Sequence, residues 1–518
     1  MNIYFREAIV AAFAVLILMS ACRAMAAGPL GFVINEDNSH FYGSRTADDM
    51  TIEGLHAWVD QYDGTHVSHL FLCPNAMRAS YRSQAFDPIW DLRGQTAPTV
   101  GHGKAWFDNA RILDERGLDP YAVWIARCRE KNIAPWLSMR MNDVHDVPTP
   151  TNFMHSTFWV NHPEYWRVPG STTGWVDRAF DYGIAEVRDH HMGFIRELLE
   201  RYDPDGLELD WMRFGYHFKP GQGQEGCAIL TDFMREVRAL TKDWAAKRGH
   251  PIRLGARVPT HPDAAKGLGM DGVAWIREGL VDMLVLTPFW TASDFDIPIE
   301  LWRERIGPAA ENVVLAAGLE SNLRAYPGAG STSNDLASVR GFAAAHLHRG
   351  ADQIYLFNYM DPAPMHGGPA AYRALLEQGL GLEVVTKAPR RHVISFRDTV
   401  PPGMSNGALL PVSGPTDGTF PIYIGPAPKE GRALFVAGLA ERDDVAKATF
   451  DVSVNAKPCT PVADLENPGQ FPGAARAVGF ACPLDAVKDG YNDVHIAQQP
   501  GQAEQQIISA EIRIEPPQ

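Results

Sequence analysis

The chain lacks most standard chemical signatures. Its six cysteines include no Cys-x-x-Cys pair, so neither a zinc ribbon nor a thioredoxin-type motif is present. No Gly-x-Gly-x-x-Gly turn follows the first apolar run, which removes the phosphate cradle of a dinucleotide fold. No Gly-x-Ser-x-Gly elbow occurs, which argues against a serine hydrolase. Basic charge is scarce: 47 Lys and Arg against 62 Asp and Glu leave a net charge of −15. Nucleic acid, which wants a basic surface, is not an expected partner. After the first residues no run is long and apolar enough to be a membrane helix. Tryptophan stops early, since all 13 precede Arg303.

What is present is ample. A chain of 518 residues with 45 % hydrophobic content suits a large barrel plus one accessory domain. Residues 1–27 read as an export signal: Arg6 supplies the positive end, an apolar run follows over 8–19, and Ala24-Met25-Ala26 fits a cleavage site. Met19-Ser20-Ala21-Cys22 competes as a lipobox with Cys22 as the lipidated residue. The expectation is an exported protein: periplasmic, secreted, or an outer-membrane lipoprotein held only through Cys22. Cys459 and Cys482 lie in one C-terminal region, and oxidation after export predicts a disulfide between them.

Eight short apolar, β-rich runs recur over 31–35, 66–73, 133–141, 206–213, 252–259, 281–289, 312–320 and 352–359. Helical patterns lie between them over 51–62, 119–131, 185–202, 228–248, 271–279 and 333–349. Strand and helix alternating eight times predict an α/β fold, a (β/α)₈ TIM barrel over 28–385 rather than an open doubly wound sheet. From 386 to 518 the helix signals fade and Pro- and Gly-separated strands predict a smaller C-terminal β-sandwich. Two connections, 74–118 and 142–184, are unusually long and belong at the barrel mouth, where active sites are built.

The richest stretch is Asp205-Gly206-Leu207-Glu208-Leu209-Asp210-Trp211-Met212-Arg213. Alternation along a strand puts Glu208, Asp210 and Met212 on one face and Leu207, Leu209 and Trp211 on the other. A carboxylate facing a packed interior costs several kcal/mol unless paired, so two on one inward face point to chemistry. Other runs also end in polar residues: Arg140 and Asn142, Arg257, Glu320, then Asn358, Tyr359 and Asp361. Glycosidic hydrolysis needs two carboxyl groups across the scissile bond, and Asp210 with Glu320 is the expected pair. Glu208, two residues deeper, is expected to pair with Arg140 or Arg257 in support. Arg213 closes the same segment, and Trp211 and Trp290 stand beside strand ends as sugar platforms. Trp90, Trp106, Trp159, Trp166 and Trp175 fall in the long connections as further platforms. Loop histidines are numerous, but no ligand spacing repeats, so neither a metal nor a cofactor is expected. A glycoside hydrolase acting on a carbohydrate substrate leads; a glycan-binding barrel without turnover and a metal-dependent hydrolase are the alternatives.

Asp205–Phe214 resembles the Gly-x-x-x-Asp-Tyr-x-Arg strand of glycosyl-hydrolase-like TIM barrels, exported bacterial proteins labelled "family ten glycosyl hydrolase-like". Residues 281–290, with Pro and an aromatic after an apolar run, look like that family's sixth strand, and 350–359 are similar to its eighth. The resemblance covers roughly 31–380 and implies a carbohydrate-active hydrolase in which the position of Asp210 is catalytic. Trp211 stands where the family carries Tyr.

Overall fold

The computed structural model describes residues 31–289, 291–360, 365–414, 418–466 and 471–517. The signal segment with Cys22, and the predicted ligand contacts Trp290 and Asp361, lie outside the described residues. Eight parallel strands close into a barrel: β1 Phe32–Glu36, β2 Val67–Leu72, β3 Ala134–Arg140, β4 Gly206–Asp210, β5 Arg253–Pro259, β6 Met283–Thr287, β7 Val314–Glu320 and β8 Gln353–Phe357. Each pairs with its sequence neighbour, and β8 returns to β1 through Val33, Ile34 and Asn35. Strands β1, β4 and β6 are buried at every residue, because the barrel interior covers one face and helices the other.

Helices follow the strands on the outside, among them Ile52–Asp60, Pro120–Glu130, Ala185–Arg201, Gly223–Arg248 and Leu336–His348. Their starts are written in the sequence. Thr51 accepts from the backbone N–H of Gly54, Asp119 from Tyr121 and Ala122, and Asp335 from Ser338. The connection 74–118 carries a fifteen-residue helix, Gly101–Glu115, that is absent from the helical patterns read in the sequence. It opens on Gly101 at φ +68° and contains Gly103, which mutes its propensity signal. Packing of Trp106, Asn109, Ala110 and Leu113 into the core holds it regardless. The connection 142–184 holds only one five-residue helix, Thr157–Asn161, and two single turns.

The barrel interior is layered, and the layering positions the site. At the bottom Trp136 stacks on Phe71, ring centroids 4.7 Å apart and planes within 9°. Val33, Met283, Val285, Ala316, Tyr355 and Phe357 complete that cluster. Trp136 fits because β4 and β5 present glycine to it: a Cβ at Gly206 or Gly255 would overlap the indole. Above this apolar plug the inward positions turn polar: Asn35, Ser138 and Glu208, then Arg140, Asp210, Arg257, Thr287 and Glu320 at the strand ends.

The C-terminal region is a two-sheet β-sandwich. One sheet orders Arg390–Val393, Gln506–Glu515, Arg432–Ala440, Ala474–Cys482 and Thr460–Pro461; the other orders Gly418–Ile424, Gly490–Gln498, Phe450–Val454 and Lys457–Pro458. Phe420, Ile422, Phe435, Val494 and Ile512 lie between them. Cys459 and Cys482 are neighbours as the spacing suggested, but as two thiols with sulfurs 3.5 Å apart. The sandwich docks on the barrel where helix Leu336–His348 meets strand Arg390–Val393, an approach so close that only Gly341 fits against the Arg391 carbonyl. It also reaches the mouth: Asp398 accepts from the backbone N–H groups of Phe289 and Thr291 and so fixes the chain leaving β6.

Candidate active site

Glu208 sits midway up the barrel, opposite Ser138 of β3 and Gly255 of β5. Its Oε2 accepts from Ser138 Oγ at 2.5 Å, Tyr355 OH at 2.9 Å and Asn35 Nδ2 at 3.4 Å. The arginine partner expected from the sequence is not there, because Arg140 turns to Asp37 and Asp143 and Arg257 turns to Asp210. Burial pushes the Glu208 carboxyl up to about 8; the field of Arg257 opposes this and that of Asp210 adds to it. The consequence for stability has a definite sign. Between the ordinary value near 4.5 and the folded value near 8, the unfolded chain gives up a proton that the folded one keeps, so stability falls as pH rises through that window. Glu208→Gln is therefore expected to narrow the difference in Tm between pH 5 and pH 9, by roughly 2 °C or more. Thermal melts at the two pH values check this, and an unchanged gap would assign the pH dependence elsewhere.

Asp210 ends β4 as one half of a closed pair. Arg257 Nη1 donates to its Oδ2 at 2.8 Å, and the backbone N–H of Met212 donates to Oδ1 at 3.0 Å. The Arg257 side chain is fully buried. Its Nη2 lies 3.4 Å from Thr287 Oγ1, and its guanidinium stacks over the Phe357 ring at 4.0 Å from the centroid.

Glu320 ends β7 in a different environment. It accepts from the backbone N–H and hydroxyl of Ser321, both at 2.9 Å, and from Asn358 Nδ2 at 2.9 and 3.0 Å to its two oxygens. Asn358 reaches both because its backbone takes the left-handed conformation at φ +64°, which asparagine tolerates. Burial pushes the Glu320 carboxyl up to about 7; Asn358, Arg213 and Ser321 pull the other way without cancelling it.

Around the rim Arg140 bridges Asp37 and Asp143, and His145 Nδ1 lies 2.9 Å from Asp143. Burial opposes ionisation of these two aspartates, but Arg140 and Arg213 at Asp37, and His145 and Arg140 at Asp143, outweigh it and hold both carboxyls well below the usual range. Among the described residues no three His, Cys, Asp or Glu side chains converge as a metal-ligand set.

The structure thus brings Glu208, Asp210, Glu320, Arg140, Arg213, Arg257 and Asn358 to the upper half of one barrel. Three other predicted ligand contacts are corrected. Trp211 is fully buried among Tyr182, His217, Phe233 and Trp275. Strand β4 stops at Asp210 and the chain turns, so the indole packs outward into the helix layer, closed to a sugar. Asn142 spends its amide on the carbonyls of Phe180 and Tyr216 and on the Phe180 N–H, tying two loops together. Tyr359 is buried behind Glu320 and donates to its backbone carbonyl at 3.2 Å. Of the loop tryptophans, Trp106 and Trp159 are core, Trp90 and Trp166 half-buried, and Trp175 exposed.

Sequence reasoning missed Asn35, Asp37, Ser138 and Tyr355, and reached Asp143 only as part of the polar end of β3. The available signal was polarity at alternate, inward positions of apolar strands: Asn35 two residues after Val33, Ser138 two before Arg140, Tyr355 two after Gln353.

No protein-family profile matches the chain, and no curated protein does. Several solved structures are similar to it. An alpha-L-fucosidase isoenzyme 2 from Paenibacillus thiaminolyticus shares 13 % identity over 67 % of this chain and 48 % of its own, with a TM-score of 0.40. A class V chitinase from Pseudomonas fluorescens Pf-5 shares 10 % over 66 % of this chain and 98 % of its own, with a TM-score of 0.35. A glycoside hydrolase family 18 N-acetylglucosaminidase from Paenibacillus barengoltzii shares 11 % over 63 % and 94 %, with a TM-score of 0.32. The chain spans about half the length of that fucosidase. These similar structures are glycoside hydrolases.

Proposed function

We propose that the chain is an exported glycoside hydrolase that cleaves a glycosidic bond in a poly- or oligosaccharide. One observation carries the reading: two carboxyl groups at the strand ends of one barrel stand in opposite electrostatic settings. Glu320 is kept proton-bearing up to about 7 by burial. Asp210 accepts from a guanidinium and a backbone N–H and offers a lone pair. Two carboxyl groups so divided serve as acid and as nucleophile or base. Glu320 protonates the leaving oxygen. Asp210 attacks the anomeric carbon, or activates the water that does, and Arg257 holds it in place. Asn358 fixes the orientation of Glu320.

A second reading, a barrel that binds glycan without turnover, is favoured by the closure of the acids, since the side chains of Asp210 and Glu320 are almost wholly covered. A panel of oligosaccharides assayed for cleavage separates the two. Asp210→Asn keeps an acceptor for Arg257 and removes the nucleophile, so it is expected to lower turnover about a thousandfold or more while leaving binding measurable. Binding by the wild type without any turnover, unchanged in Asp210→Asn, would establish the second reading.

A further inference from the structure

Three arginines line the upper barrel, and among the described residues one of them makes no ion pair. Arg140 has Asp37 and Asp143, and Arg257 has Asp210. Arg213 is 7 % exposed, and Asp37, Asp143 and Glu320 act on it through their fields without an ion pair among the described residues. Its Nε and Nη1 have no hydrogen-bond partner. Only Nη2 has one, His145 Nε2 at 3.3 Å, which accepts when the other ring nitrogen carries its proton toward Asp143. A buried guanidinium with open donors is costly to a fold and is kept where something else completes it.

The surroundings indicate what that is. Arg213 is held between the rings of Phe214, Phe289 and Phe357, at 5.6, 5.6 and 5.3 Å from the three centroids. The Phe289 backbone is in turn pinned by Asp398 of the sandwich. Next to this frame stands Trp175, the one tryptophan of the long connections that is exposed, at 38 %. Its ring meets Phe214 edge-on at 4.8 Å and lies 5.9 Å from Phe289. An exposed indole joined through Phe214 and Phe289 to a buried guanidinium with unpartnered donors combines a platform for an apolar C–H face with a receptor for a planar or tetrahedral anion. Glu320 acts on Arg213 through its field but makes no ion pair with it, and its oxygens accept from Asn358 and Ser321.

We propose that Arg213 and Trp175 form a subsite for an acidic sugar, the guanidinium taking a carboxylate or sulfate ester and the indole covering the ring. This rests on the glycoside hydrolase reading and deepens it: the substrate is an anionic glycan, a polyuronide or a sulfated polysaccharide. Binding to the full chain at pH 6 and physiological salt, measured by calorimetry, tests it without requiring turnover. The probes are galacturonate, glucuronate and mannuronate oligomers, their methyl esters, and sulfated and unsulfated neutral oligomers of equal length. The wild type is expected to bind one acidic class at least about tenfold more tightly than its neutral counterpart, as one desolvated charge-assisted pair supplies. The arm showing that ratio names the anion. Arg213→Met is expected to bring the ratio near one, Arg213→Lys to recover part of it, and Trp175→Ala to weaken the acidic and neutral probes together. Retained melting temperatures certify that the variants are folded. No acidic preference in the wild type, or an unchanged ratio in Arg213→Met, overturns the proposal. Acidic binding without cleavage by the wild type would sink the hydrolase reading and leave the subsite standing, whereas cleavage of neutral glycans with no acidic preference would do the reverse.

Discussion

Glu320→Gln is expected to lower kcat on a natural oligosaccharide about a thousandfold, within the range that a positioned general acid supplies. The sugar leaving group departs as a poor alkoxide unless it is protonated, and Glu320 is a buried carboxyl at the end of β7 that keeps its proton to about 7. The amide fills the same space and can still meet Asn358 and Ser321, so the fold is spared and the proton is lost. Two further measurements separate an acid from a group that only shapes the site. On a dinitrophenyl glycoside, whose leaving group needs no proton, the loss is expected to shrink to roughly tenfold or less. In the wild type kcat/KM is expected to fall as pH rises through about 7, because the protonated form acts and the carboxyl gives up its proton there. That limb vanishes in Glu320→Gln. Equal losses on both substrates, with the limb retained, would remove Glu320 from the acid role.

The fold was legible because a closed parallel barrel writes itself plainly. Its strands are buried on both faces, so they stand out as short apolar runs, and eight of them separated by helix-length stretches leave few other architectures. The strand ends predicted from the sequence lie within three residues of those observed; Trp211 reads as a sugar platform only from its place beside the end of β4, although alternation already puts it on the face opposite the acids, where it packs as core. Glu208 shows a second limit. Its depth followed from period two, but its partners did not, since Asn35, Ser138 and Tyr355 come from strands 103 to 320 residues apart in pairing. The closure of the barrel, not the chain, makes them neighbours. Arg213 reads as a ligand contact only from its place at the end of the segment; that it makes no ion pair among the described residues depends on how Arg140 and Arg257 divide the acids, which only geometry decides.

Arg257→Met is the substitution expected to damage the fold most. It leaves Asp210 buried without its cation, and breaking one side of such a pair costs about 3–5 kcal/mol. Met keeps the stem volume but loses the guanidinium stacked over Phe357, so the cycle must separate that loss from the orphaned charge. The variant is expected to lower the melting temperature of the barrel by several degrees, read by calorimetry. Adding Asp210→Asn should restore much of it, because the amide removes the orphan charge and still accepts from Met212 N–H. The double-mutant cycle therefore assigns the cost: recovery means the charge pair carries it, and equal falls in single and double variants mean that the stacking of Arg257 on Phe357 does. The cycle also separates structure from chemistry. The double variant regains stability but lacks the carboxylate, so it should remain as inactive as Asp210→Asn alone. A stable, active double variant would show Asp210 to be a bracing acid, with the reaction carried elsewhere on the rim. Glu208 bears on the same point, because Arg257 is the cation that works against its protonation. Without Arg257 the carboxyl beneath Asp210 holds its proton still more firmly.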